Sequence, residues 1–194
     1  MNDNAFQPVT TALGWITDLL AEAEIPFQVA GGVAAAAYGA TREVNNIDLY
    51  IAAEHVPQVM RLVGAERIVR QPWRHRDESW DLILLVVEYK GQRIEVRVAD
   101  AARFRERATG KWLDAAIDLV GSVSVVICGV EVPVMPRAQL VECRSELGLV
   151  GEHDGSRDCG EDQHDRQAGQ ELVRGLAPLA PQRHRQAMTN SALT

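Results

Sequence analysis

The sequence predicts a mixed α/β (α+β) fold, in which one small mixed sheet has helices on its flanks. Three observations predict it. Apolar residues recur at helical spacing over 9–23, and a short buried strand, 27–30, follows after Pro26. Residues 82–98 read as a β-hairpin, because its second strand alternates strictly between apolar and charged side chains. The ten aromatic residues all lie between Phe6 and Trp112, so the packed core is expected in the first two thirds of the chain.

The remaining elements follow from local patterns along the chain. Pro26 ends the first helix, and Pro57 fits the first turn of a later helix, where no backbone donor is needed. Residues 71–79 are predicted to be a long polar connection with Trp73 in a surface loop, although Trp73 among basic residues could also contact RNA or a base. Helices are predicted over 9–23, 33–38, 54–63, 101–108 and from Pro136 to 147, and strands over 27–30, 47–52, 82–89, 93–98, 123–127 and 130–134.

The chain is predicted to divide into a folded domain, 8–147, and a polar, flexible C-terminal extension, 148–194. The extension has few apolar residues and no helical period, so burial cannot offset its ordering entropy. Its His, Asp and Cys residues are ligand types, but their spacing matches no closed metal site, and a solvated acidic run is the better interpretation.

Charge and hydropathy exclude several classes of protein. The 194 residues carry a formal net charge of -7, with 27 acidic and 20 basic residues, which argues against broad binding of duplex nucleic acid. No stretch approaches the roughly 20 apolar residues that a membrane helix needs, and the first residues lack a secretory signal. We therefore expect a cytoplasmic protein that does not span a membrane.

One stretch of the folded domain has residues suited to phosphate chemistry. Gly31-Gly32 joins a strand to a helix, where free backbone N–H groups favour a phosphate. Asn46 and Asp48 lie two residues apart on the next strand and therefore share a face. If the strand of Glu95 is the neighbour of that strand, Asp48 and Glu95 converge.

Oxygen ligands beside a phosphate-holding turn are what Mg²⁺-assisted phosphoryl transfer requires. Each residue also has an ordinary structural interpretation. Gly31-Gly32 is compatible with a plain turn, Asp48 with a solvated strand edge, and Glu95 with a surface residue that pairs with Arg93 or Arg97. Only their order and context together favour a functional site.

These residues resemble the nucleotidyltransferase superfamily that includes polymerase beta, and in particular its small bacterial branch. That branch comprises minimal nucleotidyltransferases, enzymes that modify aminoglycosides and lincosamides, and members of toxin–antitoxin pairs. Its pattern is Gly-Gly or Gly-Ser, a short helix, Asp-x-Asp on a strand, and an acidic residue on a later strand. In this sequence Gly31-Gly32, Asp48 and Glu95 occupy those places, and Arg42 matches an arginine of one branch.

The resemblance implies a nucleotidyltransferase-like fold and Mg²⁺-dependent transfer of a nucleoside monophosphate. The donor would be ATP or another NTP, and ATP would donate its AMP group. The acceptor would be a hydroxyl on a small molecule, a protein or RNA. By resemblance, Asp48 and Glu95 are catalytic residues and Mg²⁺ ligands, with Asn46 as a degraded ligand beside Asp48. Glu95 would be the third ligand or the base that takes the proton of the acceptor hydroxyl. Gly31 and Gly32 would hold the phosphates; Arg42 would support them or pair with an acidic neighbour.

The sequence departs from the family pattern at Asn46, where the family has the first metal-binding aspartate. Asparagine keeps an oxygen ligand but lacks the charge that lets a carboxylate bridge two cations. Two hypotheses follow. The protein is either a weakened nucleotidyltransferase, of which antibiotic resistance is one family role, or a catalytically inactive antitoxin or binding protein with a toxin or antitoxin partner.

Overall fold

The computed structural model describes residues 7–41 and 43–146, of which 142–146 are described by their backbone alone, and it confirms the mixed α/β class. The C-terminal extension, 148–194, lies outside the described residues. Four helices are formed within the described part of the chain: α1 (Gln7–Glu22), α2 (Gly31–Ala37), α3 (Val56–Val63) and α4 (Arg137–Glu146). The strands there are β1 (Phe27–Ala30), β2 (Asn46–Ile51), β3 (Ile68–Arg76), β4 (Trp80–Tyr89), β5 (Gln92–Val98), β6 (Arg103–Arg105), β7 (Trp112–Asp114), β8 (Val123–Ile127) and β9 (Val130–Val134).

All nine of these strands belong to one sheet. Its order is β7-β6-β4-β5-β2-β1-β9-β8, and β3 pairs with the remaining edge of β4. Strand β2 lies at the centre, antiparallel to β1 and parallel to β5. The β4–β5 hairpin is confirmed, and so is the pair formed by β8 and β9. Because β2 and β5 are parallel, residues far apart in sequence become direct neighbours.

The two faces of the sheet differ in chemistry. One face is apolar and meets helix α1, whose Trp15 stacks on Tyr89 of β4 with ring centroids 4.2 Å apart. The opposite face carries the alternate residues of β1, β2 and β5, which include Asp48 and Glu95. The apolar face is formed mainly by fully buried side chains, namely Val29, Ile47, Leu49, Ile51, Leu85, Val87, Ile94, Val96 and Val98.

The expected polar connection over 71–79 is wrong, because most of it forms strand β3. Its register with β4 shifts between Arg70 and Trp73, so Pro72 lies in an irregular stretch of the ladder. Proline is tolerated at such bulges because no ladder hydrogen bond needs its missing N–H. Trp73 is accordingly only 9% exposed and does not lie in a surface loop.

The helix expected over 101–108 is also wrong. Residues Ala99–Ala101 form a single 3₁₀ turn, and strand β6 follows it. Strand β6 pairs with the start of β4 and with β7, so tertiary pairing overrides the helical preference of an Ala- and Arg-rich segment. With β3, β6 and β7 added, the sheet is larger than the small sheet expected.

No helix in the described part of the chain is long and apolar enough to cross a membrane.

One buried carboxylate holds β3 and β4 together at their outer end. Asp81 is 1% exposed, and its two oxygens accept hydrogen bonds from Arg74 Nε at 2.6 Å and Nη2 at 2.8 Å. These hydrogen bonds lower the pKa of Asp81 below its ordinary value, although burial acts in the opposite direction. Asp81 therefore contributes stability while it is ionised.

We expect Asp81→Asn to lower the free energy of unfolding by about 2 kcal/mol at neutral pH, since two charge-assisted hydrogen bonds are weakened. The folded-state pKa is depressed, so this contribution is present above the unfolded pKa and is lost as the pH falls through the folded pKa. The deficit should therefore shrink below about pH 4. Urea unfolding at neutral and acid pH measures both parts of the prediction.

Asp114→Asn is the matched control for this prediction, since the side chain of Asp114 is 90% exposed and lies 3.4 Å from Arg103. An exposed pair of this kind contributes little to stability. An Asp114→Asn protein as unstable as Asp81→Asn would contradict the assignment of the effect to the buried ion pair.

Candidate functional site

The pairing of β2 with β5 brings the predicted acidic residues together. Asp48 is directly opposite Glu95 in this parallel pair, and Asn46 is opposite Arg93. On its other side Asp48 is paired with Ala30, the last residue of β1. Because paired residues project from the same face of a sheet, Asp48 lies beside the turn that follows Ala30, and Glu95 lies next to Asp48 on the neighbouring strand.

That turn begins with Gly31, which touches the carboxylate of Asp48. Gly31 has a φ of +58°, a left-handed conformation that favours glycine. A Cβ atom at this position would overlap Asp48 Oδ2 and lie 2.6 Å from Asp48 Cγ. Gly31 is therefore required both by the backbone conformation and by the close approach of the acidic side chain. Gly32, the next residue, is buried in the first turn of α2.

Asn46 is half-buried and interacts with its neighbour on the same face of β2. Its Nδ2 donates a hydrogen bond of 2.9 Å to Asp48 Oδ1. In this arrangement the amide acts as a donor toward Asp48. An aspartate at position 46 would instead place a second negative charge beside Asp48.

Arg97 is the central cation of the site. Its Nη2 lies 2.7 Å from Asp48 Oδ1 and 2.9 Å from Glu95 Oε2, so one nitrogen joins carboxylates from two strands. Arg93 completes the network, with its Nε donating to Glu95 Oε1 at 3.1 Å. Two carboxylates and two guanidinium groups thus face one another, and their formal charges cancel.

The role of Arg97 was missed from the sequence, where Arg93 and Arg97 are considered only as possible partners of Glu95. The signal was the alternation of β5, which places Arg97 on the same face as Glu95. That alternation does not indicate which strand lies beside β5. The contact between Arg97 and Asp48 could therefore not be predicted.

The ion pairs shift the pKa values of both charge types. Burial lowers the pKa of Arg97, but the negative charges around it, Asp48 foremost, outweigh burial and raise it above its ordinary value. Burial raises the pKa of Glu95, and the charges and hydrogen bonds of Arg97 and Arg93 lower it by more, so its net pKa is below the usual range. Glu95 is therefore an ionised and weak base at neutral pH.

Of the residues predicted for the site, the structure brings together Gly31, Asn46, Asp48 and Glu95, with Gly32 immediately beside them. Arg42, the arginine expected to support the phosphates, lies outside the described residues.

The donor set does not fit the pair of magnesium ions that the fold family implies. Two ions need a bridging carboxylate and several further oxygen ligands. Among the described residues, no group of three or more His, Cys, Asp or Glu side chains is placed to hold a metal ion. The carboxylate oxygens of Glu95 and one oxygen of Asp48 already face guanidinium groups, and Asn46 has no charge to contribute.

The sequence matches no protein-family model and no curated protein, but the fold matches solved structures. A Thermotoga maritima protein, TM1012, described as a candidate nucleotidyltransferase, is 22% identical, with a TM-score of 0.61 over 73% of this chain and 86% of that one. Two further structures superpose with TM-scores under 0.5. The lincosamide antibiotic adenylyltransferase LnuA, solved with lincomycin, is 14% identical over 85% of this chain and 96% of its own, with a TM-score of 0.44. ANT(2'')-Ia, solved with adenylyl-2''-tobramycin, is 14% identical over 86% and 95%, with a TM-score of 0.45.

The likeness to TM1012 shows that this chain has the fold of a small nucleotidyltransferase. The expected nucleotidyltransferase-like fold is thereby confirmed.

Proposed function

We propose that this protein binds a nucleoside triphosphate, most simply ATP, beside Gly31 and Gly32, and that it transfers the nucleoside monophosphate to a hydroxyl acceptor only slowly. The observation that carries the proposal is the in-register pairing of Asp48 with Glu95 at the Gly31 turn. It combines a backbone turn and two carboxylates in the fold that this chemistry uses.

Slow transfer follows from two properties of the site. Asn46 replaces the carboxylate that the family has at this place, and with it a ligand for the metal ion that would stabilise the negative charge of the transition state. Glu95 has a lowered pKa and is therefore poorly suited to take a proton from an acceptor hydroxyl. That Asp48, Glu95 and Asn46 are ligands of Mg²⁺ stays a prediction, and so does the support of the phosphates by Arg42.

The proposal predicts that Asn46→Asp accelerates transfer by about 10- to 100-fold over the parent protein, since a carboxylate that would hold a metal ion beside the phosphates is restored. The measurement is pyrophosphate release from Mg·ATP with glycerol as the hydroxyl acceptor. Calorimetric titration of ATP into the parent, Asn46→Asp and Asp48→Ala proteins accompanies it. Loss of binding in Asp48→Ala is the expected result, because Asp48 holds the cation that would face the phosphates, whether that cation is Arg97 or a metal ion.

Asn45→Asp is the matched control, since it makes the same chemical change one residue before β2, at an exposed position. It should leave turnover at the parent level. Turnover of Asn46→Asp no higher than that of the parent and Asn45→Asp proteins would contradict the idea that Asn46 limits catalysis.

A second candidate is a catalytically inactive protein that uses the fold to hold a toxin or antitoxin partner. The observation that favours it is the internal pairing of the site, in which Asn46, Arg93 and Arg97 all interact with Asp48 or Glu95. Absence of ATP binding in all the proteins would favour this candidate. A gene for a small helical ribonuclease-like toxin beside this one would favour it further, whereas a lone gene on a resistance cassette would favour a small-molecule acceptor.

A further inference from the structure

We infer that Arg97 is the resident cation of this site and takes the place of a divalent metal, so that the site binds a nucleoside triphosphate without metal. The inference builds on the nucleotide binding proposed above. It names the cation that accompanies the nucleotide, and it concerns residues that the fold family would otherwise use for magnesium.

The position of the Arg97 guanidinium group excludes a metal ion held by both carboxylates. Nη2 of Arg97 lies between Asp48 Oδ1 and Glu95 Oε2, at 2.7 and 2.9 Å. These oxygens come from two adjacent strands, and a metal ion held by both residues would have to lie between them. A guanidinium nitrogen and a magnesium ion cannot share that space, because Mg²⁺ needs its own oxygen ligands at roughly 2.1 Å.

The charges of the site are balanced without a metal ion. Asp48 and Glu95 would repel a triphosphate if nothing neutralised them. Arg97 and Arg93 carry two positive charges at hydrogen-bonding distance from these carboxylates, so the repulsion is cancelled within the protein. Asn46 adds no negative charge and donates a hydrogen bond to the same oxygen of Asp48 that faces Arg97. A third carboxylate, at position 46, would make the net charge of the site negative.

The fold holds Arg97 in place. It lies on the inner strand β5 between Tyr50 of β2 and Leu84 of β4, and its side chain is 20% exposed. Its Nε atom is buried and has no hydrogen-bond partner among the described residues. The contacts with Asp48 and Glu95 therefore leave one donor of the guanidinium group unsatisfied.

The test is calorimetric titration of ATP into the parent protein in excess EDTA and in excess Mg²⁺. The inference predicts dissociation constants that agree within about threefold. In Arg97→Met, binding should weaken at least about tenfold in EDTA and recover in Mg²⁺, since the metal can then enter the vacated position. Arg61→Met, an exposed position on α3, is the control for losing an arginine elsewhere.

The two proposals fail in different ways. ATP binding by the parent only in the presence of Mg²⁺ overturns this inference and leaves the proposed function standing. No ATP binding under either condition removes the proposed function, and the cation is then tested without nucleotide. Titration with Mn²⁺, followed by electron paramagnetic resonance, should detect no tight site in the parent and a site at least about tenfold tighter in the double variant Asn46→Asp/Arg97→Met.

Tight Mn²⁺ binding by the parent, or failure of the folded double variant to bind Mn²⁺, overturns the inference. The parent titrations need no variant, so they decide the question even if Arg97→Met does not fold.

Discussion

Gly31→Ala is expected to lower the free energy of unfolding by about 2–4 kcal/mol and to displace the carboxylate of Asp48. Two costs add up at this position. Alanine is strained at a φ of +58°, and its Cβ would overlap Asp48 Oδ2. Asp48 has a short side chain that is also bound to Asn46 and Arg97, so it cannot move aside without breaking those contacts. Urea unfolding measures the change in stability.

Gly39→Ala separates the two costs. Gly39 also has a left-handed backbone, with a φ of +93°, but a Cβ there would meet no atom within 4 Å. It should show the conformational cost alone, about 1–2 kcal/mol. In an Asp48→Ala background, Gly31→Ala should then cost about as much as Gly39→Ala does in the parent. An equal cost of Gly31→Ala in both backgrounds would show that the contact with Asp48 is unimportant.

Arg97→Met is expected to lower the free energy of unfolding by about 2–4 kcal/mol at neutral pH, because it leaves two mostly buried carboxylates without their shared partner. Asp48 and Glu95 have side chains only 6% and 15% exposed. They cannot recover full hydration, and they repel each other across the strand pair. Urea unfolding at neutral pH measures this loss.

The pH dependence of the same variant tests the electrostatic cause. The folded-state pKa of Glu95 is depressed by Arg97 and Arg93, so its stabilising contribution is complete above the unfolded pKa and is lost as the pH falls through the folded pKa. The difference between parent and Arg97→Met should therefore be largest at neutral pH and narrow below about pH 4. A difference that stays constant with pH would mean that Arg97 acts through packing of its methylene groups.

Arg93→Met is the control for this pair of experiments. The side chain of Arg93 is 48% exposed, and it contacts Glu95 alone of the two carboxylates. Its removal should cost less than about 1 kcal/mol, since partly exposed ion pairs are weak. A loss of stability as large as that of Arg97→Met would mean that Arg97 is not the main partner of Glu95.

Local pattern was sufficient for much of the fold. The buried strand at Phe27–Ala30, the hairpin of β4 and β5, and the pair of β8 and β9 were predicted close to their observed limits. In each case the signal is a run of apolar residues, or a strict alternation, bounded by a turn residue. Strand β3 and the β6–β7 hairpin were missed, because their polar and alanine-rich sequences become strands only by pairing with β4 and with each other.

The sequence by itself determined which residues share a face of a strand. The period of two places Asn46 beside Asp48 on β2, and Arg93, Glu95 and Arg97 together on β5. It also determined that position 46 has an amide in place of a carboxylate. These are properties of neighbouring residues, and no long-range contact is needed to establish them.

Only the tertiary structure decided that the polar residues of β2 and those of β5 lie side by side. Parallel pairing of β2 with β5 puts Asp48 opposite Glu95, and this brings Arg97 within reach of both carboxylates. The alternation along each strand is compatible with several neighbours, and the choice among them depends on how the whole apolar face packs against α1. The contact between Arg97 and Asp48, on which the proposed metal-free site depends, is therefore a consequence of the assembled sheet.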